Sequence, residues 1–188
     1  QLSDLRAGLT GLIKSEEIAA WSPGNFTAYN IEISTTINFQ HLAAWRPNTI
    51  NIGNSSTSIY KVSATLDTQY VAQWDPVSFR VSTRLFSSFV PGGIANWRSA
   101  NSISFGDCLM NQTQVNAVLW DIYQMSQSRT AINGTIGLNG NSTPSGTHQA
   151  ATSCPVTAAT PGKEIAHELR YDTCGVGFNR WNTVSIAY

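Results

Sequence analysis

Tyr29-Asn30-Ile31-Glu32-Ile33-Ser34-Thr35-Thr36-Ile37-Asn38-Phe39 alternates almost perfectly, with Tyr29, Ile31, Ile33, Thr35, Ile37 and Phe39 set against Asn30, Glu32, Ser34, Thr36 and Asn38. Side chains on a strand point to opposite faces in turn, so the stretch predicts an extended, half-buried strand of about 35 Å at roughly 3.3 Å per residue. On a helix the same six residues would scatter around the circumference. Such a strand must bury its apolar face against another layer, which points to a sandwich or a barrel.

Moving outward, the same period recurs. Tyr60, Val62, Ala64 and Leu66 alternate with polar residues, Tyr70 to Trp74 is read as continuing or pairing with that strand, and Val77, Phe79, Val81, Thr83 and Leu85 alternate with Ser78, Arg80, Ser82 and Arg84. Ile103 to Phe105, Ile165 to Tyr171 and Val184 to Tyr188 complete the strand candidates. Thr113 to Met125 fits a helix by spacing and a doubly apolar strand by context, and sequence leaves it open. Pro91-Gly92-Gly93 signals a turn, Ile132-Asn133-Gly134-Thr135-Ile136 a type I′ hairpin, and Asn139 to Gln149 a mobile loop. No repeat of 20 to 50 residues stands out, so the expected fold is an all-β, antiparallel β-sandwich or barrel of jelly-roll or Greek-key type.

Ahead of this domain, Leu2, Leu5, Leu9 and Leu12 follow a three-four-three spacing. That is the rhythm of a coiled-coil seam, interrupted by Gly8 and Gly11. The expectation is residues 1–24 as a packed segment or the end of a stalk, and residues 25–188 as one β head domain. The opening Gln1-Leu2-Ser3-Asp4 lacks a signal-peptide pattern and predicts a processed product or a domain cut from a longer protein.

The 188 residues are 41% hydrophobic and 12% charged, with 11 basic and 11 acidic side chains. The charged share is about half the usual value of roughly 25%, and Ser, Thr and Asn take its place. Such a neutral surface argues against disorder and against nucleic-acid binding, which draws on clustered Lys and Arg. No apolar run approaches the roughly 20 residues of a membrane span, so no membrane insertion is expected.

Cys108, Cys154 and Cys174 are odd in number and lack zinc-site spacing. The odd count favours three free thiols over one bridge, for which Cys154 with Cys174 is the candidate pair. Sequons begin at Asn25, Asn54, Asn111, Asn133 and Asn141 and would suit a secreted glycoprotein.

The catalytic inventory is thin. His167-Glu168 lacks the second histidine four residues on that a zinc peptidase needs, since Tyr171 stands there. Cys108 has no local base to make it a nucleophile. Carboxylate pairs for glycoside hydrolysis sit at a spacing set by the fold rather than the sequence, and Glu32 is one candidate. No catalytic residue, metal or cofactor is therefore expected. Binding is better supplied, because Trp45-Arg46, Trp97-Arg98 and Arg180-Trp181 each set an aromatic plate beside a guanidinium. A sugar can lie on the plate while Arg holds a carboxylate, and the alternative is Trp in the core with Arg reaching water.

The leucine seam, the Ser22-Pro23-Gly24 break, the neutral Asn/Ser/Thr-rich domain and a last strand ending the chain together resemble the head domains of viral attachment fibres, adenovirus fibre knobs and the avian reovirus fibre among them. The resemblance implies a homotrimer on the virion surface that binds a host cell-surface receptor, glycan or protein, without catalysis. It also implies reduced thiols and unmodified sequons. The competing expectations are a jelly-roll capsid subunit and a secreted lectin or effector, the latter with occupied sequons, a Cys154–Cys174 bridge and room for glycosidase activity.

Overall fold

A computed structural model describes residues 15–29, 39–53, 64–82, 86–129, 132–177 and 181–187. In chain order these form helix α1 (Ser15–Ile18) and strands β1 (Asn25–Tyr29), β2 (Thr49–Gly53), β3 (Ala64–Asp67), β4 (Ser78–Ser82), β5 (Phe86–Val90) and β6 (Ser102–Gly106). Helix α2 (Gln112–Gln127), strand β7 (Thr135–Gly137), helix α3 (Gly162–Tyr171) and strand β8 (Thr183–Ser185) follow. Short 3-10 helices occupy Phe39–Leu42, Thr68–Val71 and Ile94–Asn96.

Six strands make one sheet in the order β1-β2-β4-β6-β7-β8, and every pairing is parallel. Strands β3 and β5 form a second, two-stranded parallel sheet. This overturns the expected antiparallel sandwich or barrel, and the jelly-roll capsid subunit falls with it. Alternation tells which side chains face the core, but it is silent on strand direction. Parallel neighbours need long crossovers, and here each crossover carries the chain through a 3-10 or α-helix to the next strand of the sheet. The result is a solenoid in which each turn stacks on the one before.

Aligning the turns exposes a repeat of variable spacing, against the expectation of none. Ile18-Ala19-Ala20-Trp21, Leu42-Ala43-Ala44-Trp45, Val71-Ala72-Gln73-Trp74 and Ile94-Ala95-Asn96-Trp97 recur at spacings of 24, 29 and 23 residues. In all four, the Trp backbone N–H donates to the carbonyl three residues earlier, at 3.0 Å each. Each tetrapeptide precedes a strand of the main sheet. Trp74 Nε1 donates to Leu42 O and Trp97 Nε1 to Val71 O, both at 3.0 Å, so each indole ties its own turn to the previous one. Rings continue the stack through Trp45–Trp74 (6.0 Å), Trp74–Phe79 (6.3 Å) and Phe79–Trp97 (5.1 Å).

The inner face of the sheet is a ladder of apolar rows. Phe26, Ile50, Phe79, Ile103 and Ile136 stand in register, and Ile52, Val81 and Phe105 form a second row, all buried. Against them pack Phe39, Leu42, Val71 and Ile94 of the 3-10 helices and Val115, Val118, Leu119 and Ile122 of α2. The alternation over Val77–Leu85 is thus observed across Ser78–Ser82, where Phe79 and Val81 point in.

Local chemistry explains where other readings fail. For Thr113–Met125 a capping box settles the question in favour of helix: Asn111 Oδ1 accepts from Gln114 N–H (2.9 Å) and Gln114 Oε1 from Asn111 N–H (3.0 Å). Ile165–Tyr171 is helical, not a strand, because Glu168, read as wet, is fully buried beside Ile165 and Leu169. Tyr70–Trp74 belongs to a 3-10 turn and its exit rather than to a strand. Asn133-Gly134 makes no hairpin. A Cβ on Gly134 would sit 2.2 Å from Asn101 O, so glycine serves the close passage of one turn over another.

Cys154 and Cys174 are bridged, with Cα atoms 5.5 Å apart, which overturns the reading of three free thiols. The leucine seam of residues 2–12 and the 30–38 core of the Tyr29–Phe39 strand lie outside the described residues. Tyr29 ends β1 and Phe39 opens a 3-10 helix. No described helix is long and apolar enough to cross a membrane.

Candidate binding face

One face of the main sheet is committed to the core, and the described side chains of the other are half-buried or exposed. Its composition follows from the residues that flank each inward apolar side chain. The triplets Asn25-Phe26-Thr27, Thr49-Ile50-Asn51, Ser78-Phe79-Arg80, Ser102-Ile103-Ser104, Thr135-Ile136-Gly137 and Thr183-Val184-Ser185 align in register. Two outward rows result: Asn25, Thr49, Ser78, Ser102, Thr135, Thr183, and Thr27, Asn51, Arg80, Ser104, Gly137, Ser185. All are half-buried or exposed. Five inter-strand steps of about 4.8 Å give the face a length of about 24 Å. On these two rows Arg80 carries the one charge, and the rest are hydroxyls, amides and a glycine. The repeated small-polar, apolar, small-polar triplet is the signal that would have revealed the face in sequence.

The Trp–Arg pairs do not form plates for a sugar. Trp45, Trp97 and Trp181 are 1%, 0% and 0% exposed. Arg46 Nη1 donates to Ala43 O (3.1 Å) and Trp45 O (2.6 Å), and Nη2 to Gln73 Oε1 (2.7 Å). Arg98 Nη1 repeats this on Ala95 O (3.1 Å) and Trp97 O (2.9 Å). Each guanidinium thus satisfies carbonyls left over where its 3-10 turn ends. Trp181 Nε1 donates to Ser126 Oγ at 2.9 Å, and Arg180 lies outside the described residues. Trp45, Trp97 and Trp181 sit on different turns of the solenoid.

The titratable groups are tethers. Asp121 on α2 is buried and accepts from Gly92 N–H at 2.6 Å, and burial pushes its carboxyl up to about 6 against the lowering effect of the Gly92 and Ile94 N–H groups. Burial also raises Glu168, but hydrogen bonds from Thr173 Oγ1, Cys174 N–H and Ala151 N–H, with His167 nearby, outweigh it and hold the carboxyl below its usual range. Glu164 accepts from Thr152 N–H at 3.0 Å. Two carboxylates on α3 thereby hold down the loop that carries Cys154. Burial, then Asp107, pushes the Cys108 thiol up to about 12, which leaves it protonated and inert.

His148 and His167 lie ring to ring at 5.2 Å, with Tyr171 4.7 Å from His167. No group of three His, Cys, Asp or Glu side chains suited to a metal exists among the described residues. Asn141 Nδ2 donates to Phe105 O (2.5 Å) and Leu138 O (2.9 Å), and its Oδ1 accepts from Met110 N–H (3.1 Å). That sequon amide is occupied by the fold, and it pins the segment that sequence reads as a mobile loop.

No protein-family model, curated protein or solved structure matches this chain. The site therefore rests on its own geometry.

Proposed function

We propose that the chain is a non-enzymatic recognition domain that binds a hydroxyl-rich partner, a cell-surface glycan, across the open face of its six-stranded sheet. The observation that carries this reading is the pair of in-register polar rows. Solenoids use such continuous faces for binding, and Ser, Thr and Asn at fixed intervals match a partner that both donates and accepts hydrogen bonds. The described rows hold no carboxylate, so they offer no acid and base to a glycosidic bond.

The Cys154–Cys174 bridge favours a protein that works in an oxidising setting, as a secreted lectin would. The narrower reading, a virion attachment head, further requires a homotrimer. Light scattering on a chain with an intact N-terminal segment decides that point, and a monomer at micromolar concentration removes it.

A glycan-array screen tests the face itself. Ser104→Trp plants an indole among the polar rows without touching the core, and it is expected to abolish glycan binding while leaving the unfolding midpoint unchanged. Binding that survives this substitution refutes the face.

A further inference from the structure

We infer that Arg80 anchors this face and that its ligand is a saccharide bearing carboxylate groups. The inference rests on the binding reading above and names the substrate class of the same site.

Five arginines are described, and four are already committed. Arg46, Arg98, Arg129 and Arg170 each direct Nη1 at a backbone carbonyl: Ala43 and Trp45, Ala95 and Trp97, Ala100, and Trp181 respectively. Each of these finishes off a turn of the fold. Arg80 makes no hydrogen bond or ion pair with any described residue and is exposed. It stands on β4, the third of six strands, near the centre of the face.

Its neighbours complete a receptor for a carboxylate set among hydroxyls. Asn51 and Ser104 are its register partners on the flanking strands, about 4.8 Å away on either side. Ser78 and Ser82 point the same way along β4, about 7 Å off. A guanidinium can hold both oxygens of a carboxylate in two parallel bonds, while the side chains around it take sugar hydroxyls. A single cation is too little for a nucleic acid, whose affinity grows with the number of phosphates neutralised. Peptide recognition would call for apolar pockets or a free strand edge, whereas the two rows are polar throughout.

The test uses an array of uronate- and sialate-containing oligosaccharides, each beside its methyl-ester counterpart, probed with the wild-type chain, Arg80→Ala, Arg80→Lys and Ser104→Trp. The wild type is expected to bind at least one acid roughly tenfold or more tighter than its ester, in line with a charge-assisted bond. That preference should shrink as salt rises. Arg80→Ala should erase the preference and Arg80→Lys retain part of it, with unfolding midpoints unchanged because the side chain is exposed. Equal binding of acid and ester, preference surviving in Arg80→Ala, or no acid bound at all overturns the inference. If acid and ester bind alike but Ser104→Trp abolishes both, the face stands and only the carboxylate assignment falls. If Ser104→Trp leaves binding intact, the face falls too.

Discussion

The turns that end in Trp45, Trp74 and Trp97 and the turns that carry α2 and α3 solve one problem in two ways. Both must fill the space behind a parallel sheet. The first group does so with one-turn 3-10 helices and a repeated indole, whose N–H reaches the previous turn at Trp74 and Trp97. The second uses helices of 16 and 10 residues, and polar groups come inside with them. Asp121, Ser126, Glu164 and Glu168 are buried there, against Thr68 alone among the described polar residues of the earlier turns. A short crossover closes with apolar packing. A long one leaves loop backbone to satisfy, and side-chain carboxylates accept from it while a disulfide ties the loop covalently. Sensitivity to pH and to reductant should therefore concentrate in the later turns.

The largest expected effect breaks the indole ladder. Trp97→Ala removes a fully buried ring and the bond to Val71 O, and should cost about 3–5 kcal/mol in urea unfolding. A loss under about 1 kcal/mol would show that the ladder contributes little. Next, Cys154→Ser with Cys174→Ser opens a loop of 20-residue separation and should cost about 3 kcal/mol. By hydrogen exchange, amides of 139–177 should lose protection while those of β2 and β4 keep it. Uniform loss would contradict the division into two regions.

A smaller effect follows from Asp121. Its folded-state value of about 6 lies above the ordinary 3.8, so its contribution is fully present below the unfolded value and is lost as pH rises through about 6. The difference corresponds to at most about 3 kcal/mol between pH 4 and 7. Asp121→Asn keeps an acceptor for Gly92 N–H but does not titrate. Wild-type stability should therefore fall relative to the variant as pH rises across that window, and a rise would contradict the assignment. The smallest effect is Trp21→Ala. Trp21 opens the repeat and is 39% exposed, so its loss should cost under about 1 kcal/mol, and a cost like that of Trp97 would mean that the first turn is packed as tightly as the rest.

The face assignments were legible in sequence where alternation was clean. Phe79 and Val81 point in and Arg80 points out, as period two requires. Strand direction was not legible, because parallel and antiparallel strands share that period. The repeat lay hidden since its spacing varies by several residues and its signature is only an aliphatic residue, Ala, any residue and Trp. For the same reason sequence leaves Trp45 and Trp97 open between a ligand plate and the core, whereas their fixed distance from the next strand marks them as solenoid core. Asn133-Gly134 misled through its own chemistry: glycine suits both a type I′ turn and a close passage, and only the neighbouring turn at Asn101 distinguishes them.

Joining strands in the order they are synthesised has one more consequence. A coil touches only the coils on either side, so duplicating the stretch from Leu42 to Tyr70 would add a storey without rewiring any other floor. The span of ligand that the molecule can gauge would then grow by one strand's width at a time, as on a ruler lengthened by adding divisions.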